Sequence, residues 1–177
     1  TLSDLNNPFY NELPLVSISR ILRFVDDATS FMSKFTHNKP YYSKASTDEC
    51  AIYAALIANG TNMGTLKMSH ISDINYSSLT SVEKNYLRLE TLREANDVIS
   101  NAISCLDIFQ HWNLNTELLH ASLDGQKFKT KKETILSRYS QKYFGFDKGV
   151  VAYSMIANHV PLSTKIIGAN DHESRHL

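Results

Sequence analysis

Asp124 closes the apolar start of the stretch Ser122-Leu123-Asp124-Gly125-Gln126-Lys127-Phe128 and is followed at once by glycine and soon by a basic residue. A carboxylate fixed at the end of a strand can bind Mg²⁺ and still leave coordination positions open. Mg²⁺ is held by one or two carboxylates, with phosphate and water completing its shell. This is where a metal-dependent nuclease or recombinase would keep its first metal ligand. Asp-Gly after alternating apolar residues is also the strongest short hairpin signal. On the residues alone the turn is the favoured reading, although Phe128 is the only residue of 126–130 able to form a second apolar strand face.

Beyond Asp124 the chain turns basic. Lys127, Lys129, Lys131, Lys132, Arg138 and Lys142 are interleaved with Phe128, Tyr139, Tyr143 and Phe144. A basic loop beside a metal ligand would hold phosphates, supplying affinity and not sequence choice. A solvated loop flanked by core aromatics fits these residues equally well. A second motif, His172-Glu173-Ser174-Arg175-His176, matches the H-E-x-x-H zinc pattern, in which a helix brings two imidazoles to one face and keeps the glutamate as base. No third ligand follows it, and Asn170-Asp171 caps a helix only just beginning, so we read it as coincidence. His37, His70, His111, His120 and His159 share no metal-ligand spacing. There is no nucleotide-binding glycine motif, no serine-hydrolase elbow and no internal repeat.

These residues must be positioned by two kinds of element. Ile18, Ile21, Leu22, Val25, Ala28, Met32 and Phe35 recur at three- and four-residue steps between Pro14 and Pro40, which predicts one amphipathic helix. Ser46-Thr47-Asp48-Glu49 resembles a capping box before the apolar run Ala51 to Ala58, predicting a buried helix that ends at Asn59-Gly60. A short helix over about Gly64 to Ile71 would complete a helix-turn-helix, with Lys67 and His70 as its groove contacts; core packing is the stronger reading. Ser81 to about Trp112 predicts one long helix whose charges form a solvated face. After Trp112 the pattern becomes β-like: Leu118 to Leu123, Gly149 to Ala157 and Leu162 to Ile167, with a turn at Asn158-His159-Val160-Pro161. Helices first and strands second give an α+β organisation. The division expected is a helical region over 1–115 and a sheet-forming region over 116–177.

Composition limits the partners. The 177 residues carry 18 Lys+Arg against 18 Asp+Glu, so the chain as a whole has no strong electrostatic pull on nucleic acid, and DNA contact must be local. Cys50 and Cys105 lie in apolar helical patterns without CxxC spacing, which predicts buried free thiols and a cytoplasmic setting. The longest apolar run is far too short to span a bilayer, and no basic region with an apolar block opens the chain. The missing initiator methionine, and the stop just after a helix-start pattern, predict a fragment of a longer protein.

Several segments together carry a resemblance. Asn59-Gly60-Thr61-Asn62-Met63-Gly64, Tyr86-Leu87-Arg88 with Glu90-Thr91-Leu92-Arg93, Trp112, and Ser122 to Phe128 occur in order. Arg138-Tyr139-Ser140-Gln141-Lys142-Tyr143-Phe144-Gly145, Ala157-Asn158-His159-Val160-Pro161 and Gly168-Ala169-Asn170-Asp171-His172-Glu173-Ser174 follow them. Over most of its length the chain resembles the class II replicative transposases of the Tn-three family. Departures are modest: Leu123 stands where serine is frequent, Lys127 where arginine is usual, and the next loop is lysine-rich where many members have glycine and arginine.

The resemblance implies the first three strands of a ribonuclease-H-like DDE catalytic domain, with Asp124 as its first catalytic and metal-binding acid. The second aspartate and the glutamate would lie beyond Leu177. Two Mg²⁺ (or Mn²⁺) ions in the complete site would serve hydrolysis at the transposon ends and then attack of the freed 3′-hydroxyl on target DNA. The implied partners are terminal inverted repeats and target DNA, in an assembly of several copies, with no membrane. With one acid of three, the chain alone should perform neither step, and its truncated sheet should expose an unpaired edge that invites self-association. Two other classes compete: a non-catalytic helical interaction module in which Asp124-Gly125 only turns the chain, and the zinc protease.

Overall fold

The computed structural model describes residues 14–39, 48–113 and 119–171, together with Glu12 and Tyr41. The chain divides into two compact units, residues 1–95 and 96–177.

The first unit is helical. α1 (Ile18–Thr29) starts at Ser17, whose side chain accepts from the Arg20 N–H. It stops at Ser30, where φ is +55° and the backbone N–H closes on the Asp26 carbonyl. A single 3₁₀ turn, Phe31–Lys34, follows. The continuous helix expected through Phe35 is therefore broken, because Asp26 Oδ1 captures the Met32 N–H at 2.9 Å and redirects the chain. α2 (Glu49–Gly60) is capped by Asp48, whose carboxylate accepts from the Cys50 N–H. Ser46 and Thr47 of the expected capping box lie outside the described residues. Ala51, Ile52, Ala54, Ala55 and Ala58 are buried, as an all-round apolar helix requires. α3 (Thr65–Ile71) and α4 (Tyr76–Tyr86) close on it, and Ala54, Ala58, Met68 and Leu79 form the core.

The long helix expected from Ser81 to Trp112 is three helices: α4, α5 (Leu89–Ser104) and α6 (Asp107–Gln110). No glycine or proline marks the first break. The buried Thr91 hydroxyl donates to the Tyr86 carbonyl at 2.6 Å and accepts from the Arg88 N–H, while Arg88 Nη1 reaches the Asn85 and Thr36 carbonyls. Side chains thus take over the backbone groups released where α4 ends. Both cysteines are exposed, against the expectation of buried thiols. Cys50 sits in the first turn of α2, and Cys105 just past the end of α5.

One polar contact in this unit has a measurable consequence. Tyr53 Oη donates to Asp26 Oδ2 at 2.9 Å, and partial burial together with the Asp26 carboxylate pushes the phenol up to about 12. The unfolded phenol ionises near 10.0, so the protonated form is favoured by folding. The resulting stability is fully present below that value and is lost as pH rises through about 12. Phenolate absorbance should show one tyrosine ionising last, and Tyr53→Phe should remove that component together with the matching part of the alkaline loss of stability.

The second unit is built on an antiparallel sheet. β1 (Ala121–Lys129) pairs along β3 (Lys148–Ala157), and β4 (Val160–Gly168) pairs along the opposite edge of β3. A two-residue strand, β2 (Arg138–Tyr139), meets the start of β3 beyond the end of β4, and α7 (Gln141–Phe144) lies between β2 and β3. Among the described residues four strands replace the three expected. β1 begins later and runs six residues past Leu123, and β4 takes in Pro161 next to a bulge at Met155/Ile156. Leu118 lies outside the described residues. Asn158 (φ +47°) and His159 (φ +66°) form the two-residue hairpin between β3 and β4, the positive φ values matching the strand twist. Val151, Tyr153 and Ile167, with Leu123 against them, form the core of this unit. Among the described residues no strand pairs the outer edge of β1.

Candidate active site

Asp124 does not turn the chain. It is the fourth residue of β1, paired with Ser154, while Gly125 pairs with Tyr153 and the ladder runs on to Lys129 opposite Gly149. Both central residues of a tight Asp-Gly hairpin need positive φ, and neither Asp124 nor Gly125 has it. The expected strand-end position is corrected in the same way, to mid-strand. The two-residue period of the strand then separates the faces. Leu123, Gly125 and Lys127 are half-buried, whereas Ser122, Asp124, Gln126 and Phe128 are exposed on the opposite face.

Across that exposed face, register places Asp124, Ser154 and Thr164 in one row. The Ser154 and Thr164 hydroxyls lie 3.3 Å apart, and Asp124 Oδ1 accepts from the Gly125 N–H at 2.8 Å. Sequence reasoning missed Ser154 and Thr164, because only strand register makes them neighbours of the carboxylate. The donors in this row are hard oxygens, and an exposed carboxylate with one oxygen oriented by backbone suits Mg²⁺ or Mn²⁺ better than a soft ion. Among the described residues no three His, Cys, Asp or Glu side chains gather as a metal site. The second motif, His172 to His176, lies outside the described residues.

The basic residues do not share one loop. Lys127 and Lys129 are on β1, Arg138 on β2 and Lys142 on α7; only Lys131 and Lys132 lie on the connecting loop. That loop is organised by the buried Ser137, which accepts from the Thr134 N–H and shares hydrogen bonds with the Thr130 and Thr134 hydroxyls. Arg138 Nη1 donates to the Ile135 and Ser137 carbonyls, so its guanidinium braces the loop. Lys129 pairs with Asp147 at 2.5 Å. Lys148, absent from the expected set, donates to Glu133 Oε1 at 2.6 Å, and this bond raises its pKa. Lys127 and Lys142 both lie over the Tyr143 ring, at 4.6 and 5.2 Å from its centroid. The aromatics flanking the loop are not core: Phe128, Tyr139 and Tyr143 are exposed, and only Phe144 is half-buried.

Comparison with known families assigns this arrangement. The profile described as "Tn3 transposase DDE domain" matches residues 20–177, nearly the whole chain. The chain belongs to that family. Relatives agree with the family assignment. The chain is 32% identical over 160 residues to the transposase for transposon gamma-delta of Escherichia coli K12, covering 89% of the chain and 16% of the relative. It is 28% identical over 167 residues to the transposase for transposon Tn4556 of Streptomyces fradiae, covering 93% and 18%. To the transposase for transposon Tn501 of Pseudomonas aeruginosa it is 26% identical over 167 residues, covering 93% and 16%. The chain thus spans about a sixth of the length of these relatives. No solved structure matches it significantly.

Membership in the Tn3 transposase DDE domain family accounts for the α+β order, helices followed by an antiparallel sheet that carries Asp124. It removes the zinc protease as a reading of the chain, and the strand position of Asp124-Gly125 removes the turn on which the non-catalytic helical interaction module relied. Among the described residues no helix is long and apolar enough to cross a membrane.

Proposed function

We propose that Asp124 is the first metal-binding acid of a transposase, and that the longer protein cleaves DNA at transposon ends and joins the freed 3′-hydroxyl to target DNA. The observation that carries this reading is the place of Asp124: an exposed carboxylate in the middle of a strand, in a chain of this family. Asp124, with the remaining acids supplied by chain beyond Leu177, would hold Mg²⁺ or Mn²⁺; when bound, such ions neutralise phosphate charge and lower the pKa of water. Two such ions belong to the complete site in this reading.

The chain's own contribution is positional. The β1–β3 ladder fixes the Asp124 backbone, and the Gly125 N–H orients one carboxylate oxygen, so the other is presented without further ordering. Lys131 and Lys132, exposed on the loop, and Lys127 and Lys142, beside Tyr143, would contact DNA phosphates. Lys129 and Arg138 would contribute less, since Asp147 and the loop carbonyls already engage them. Activity in the cytoplasm, on terminal repeats and target DNA, by an assembly of several copies, completes the reading.

The test is nicking and strand transfer on a labelled transposon-end duplex with Mg²⁺ or Mn²⁺, comparing the longer protein, its Asp124→Asn variant and the 177-residue chain alone. Cleavage by the longer protein only, with DNA binding kept in the variant, is the expected result. Cleavage by the variant would overturn the reading.

A further inference from the structure

We infer that the pocket at the hairpin end of β1 is a receptor for a single unpaired nucleobase of the DNA strand held at Asp124. The pocket, of about 400 Å³, is lined by Trp112, His120, Ser122, Ile156, Asn158 and His159. The inference rests on the proposed role of Asp124 only for where the strand runs, since the pocket's own chemistry is independent of that carboxylate.

Trp112 is 53% exposed, yet it is held in place. The His159 ring meets it edge-on with centroids 4.6 Å apart. Asn158 Nδ2 donates to the Phe109 carbonyl at 3.0 Å and to Asn113 Oδ1 at 2.6 Å, tying the hairpin to the segment on either side of the indole. A large aromatic surface is thereby kept both rigid and open to solvent. Among the described residues its ring partner is an imidazole at the edge, which leaves the pocket to accept another flat ring. His120 adds a second imidazole to the lining, and Ser122 and Asn158 add polar groups that can meet a base edge.

Register connects the pocket to the acid. Ser122 precedes Asp124 by two residues, so both side chains lie on the same exposed face of β1, and Ile156 is paired with Ser122. Two residues of strand span about 7 Å, within the reach of one extended nucleotide. A strand with its phosphate at Asp124 can therefore place a neighbouring base against Trp112 once that base has left the duplex. A stacked base in this pocket fixes the register of the strand, and a duplex that cannot release a base there cannot fill it.

Trp112 is the only tryptophan of the chain and so reports on its own pocket. The experiment titrates the chain, without metal and at low salt, with a dye-labelled oligothymidylate and with an abasic strand of equal length. Anisotropy follows binding, and tryptophan fluorescence follows the pocket. The expected result is quenching by the base-bearing strand and none by the abasic strand, with His159→Gly weakening base-dependent binding about tenfold. Glycine keeps the left-handed backbone of that position, so the variant removes the ring without straining the turn. Equal quenching by both strands, no binding by either, or an unchanged His159→Gly affinity would overturn the inference. The titration contains no metal and reads base binding, not strand cleavage. Failure of the cleavage reading would therefore leave this result untouched, and failure here would leave cleavage untouched.

Discussion

The longer protein carrying Asp124→Asn is expected to bind transposon-end DNA normally and to cleave it at least about a thousandfold more slowly. Asparagine keeps the size of the side chain and a carbonyl oxygen able to accept the Gly125 N–H, so neither the β1–β3 ladder nor the local geometry should change. What is lost is the negative charge. A divalent ion contributes several kcal/mol of charge stabilisation to phosphoryl chemistry, and each ~1.4 kcal/mol is tenfold in rate, which sets the minimum loss at about three decades. In the proposed reading DNA binding would draw on lysines outside this carboxylate, and removing an anion beside phosphate cannot weaken it electrostatically. Single-turnover nicking with binding measured in parallel separates the two effects. A comparable loss of both would mean that Asp124 supports the fold, and retained cleavage would remove it from the chemistry.

Much of the helical unit was legible because its signals are local. The Ala51 to Ala58 run is apolar on all sides and is buried as such, and Gly60 ends it. The break between α4 and α5 was not legible, since the pattern runs through it. It is held by Thr91 and Arg88 side-chain hydrogen bonds that leave no hydropathy signature, one of them reaching the Thr36 carbonyl 52 positions away. Asp124-Gly125 shows the opposite failure, in which a strong local signal pointed the wrong way. The pair is a frequent turn, but Leu123, Gly125 and Lys127 form one face of a continuing strand. That face was hidden from a hydropathy reading by a glycine and a lysine, whose aliphatic stem can lie half-buried while its charge reaches solvent. The role proposed for Asp124 rests on likeness to a family, and its row with Ser154 and Thr164 is visible only in the register. Trp112 and His159 illustrate the same limit: 47 residues separate them, and the pocket they line exists only once the hairpin folds back.

Gly149→Ala should be the most damaging single-methyl change in the sheet unit, costing about 3 kcal/mol or more. A Cβ at this position would lie 2.3 Å from Phe144 Cε2 and 2.6 Å from the Phe128 carbonyl oxygen. The ring could shift, but the carbonyl belongs to β1, directly across from Gly149 in the register where Lys129 is its partner. Relief therefore requires moving backbone of β1 as well as the α7 aromatic. Overpacking of a tight site costs about 1–3 kcal/mol when side chains alone adjust, and occasionally more; a backbone collision belongs at or above the top of that range. Gly149 also pairs with Arg138 of β2, so the same displacement would loosen the strand that ends the lysine-bearing loop. Urea unfolding of the chain should show a lower midpoint, and amide exchange should quicken first at Phe128, Lys129 and Arg138. Gly145→Ala is the control: open space surrounds that position, but its φ of +59° strains any side chain. With ψ of −117° this is a backbone region nearly confined to glycine, so the variant should cost about 1–3 kcal/mol and leave β1 exchange unchanged. Unchanged exchange at Phe128, Lys129 and Arg138 in Gly149→Ala would show that the close packing of Phe144 and β1 on Gly149 does not hold in solution.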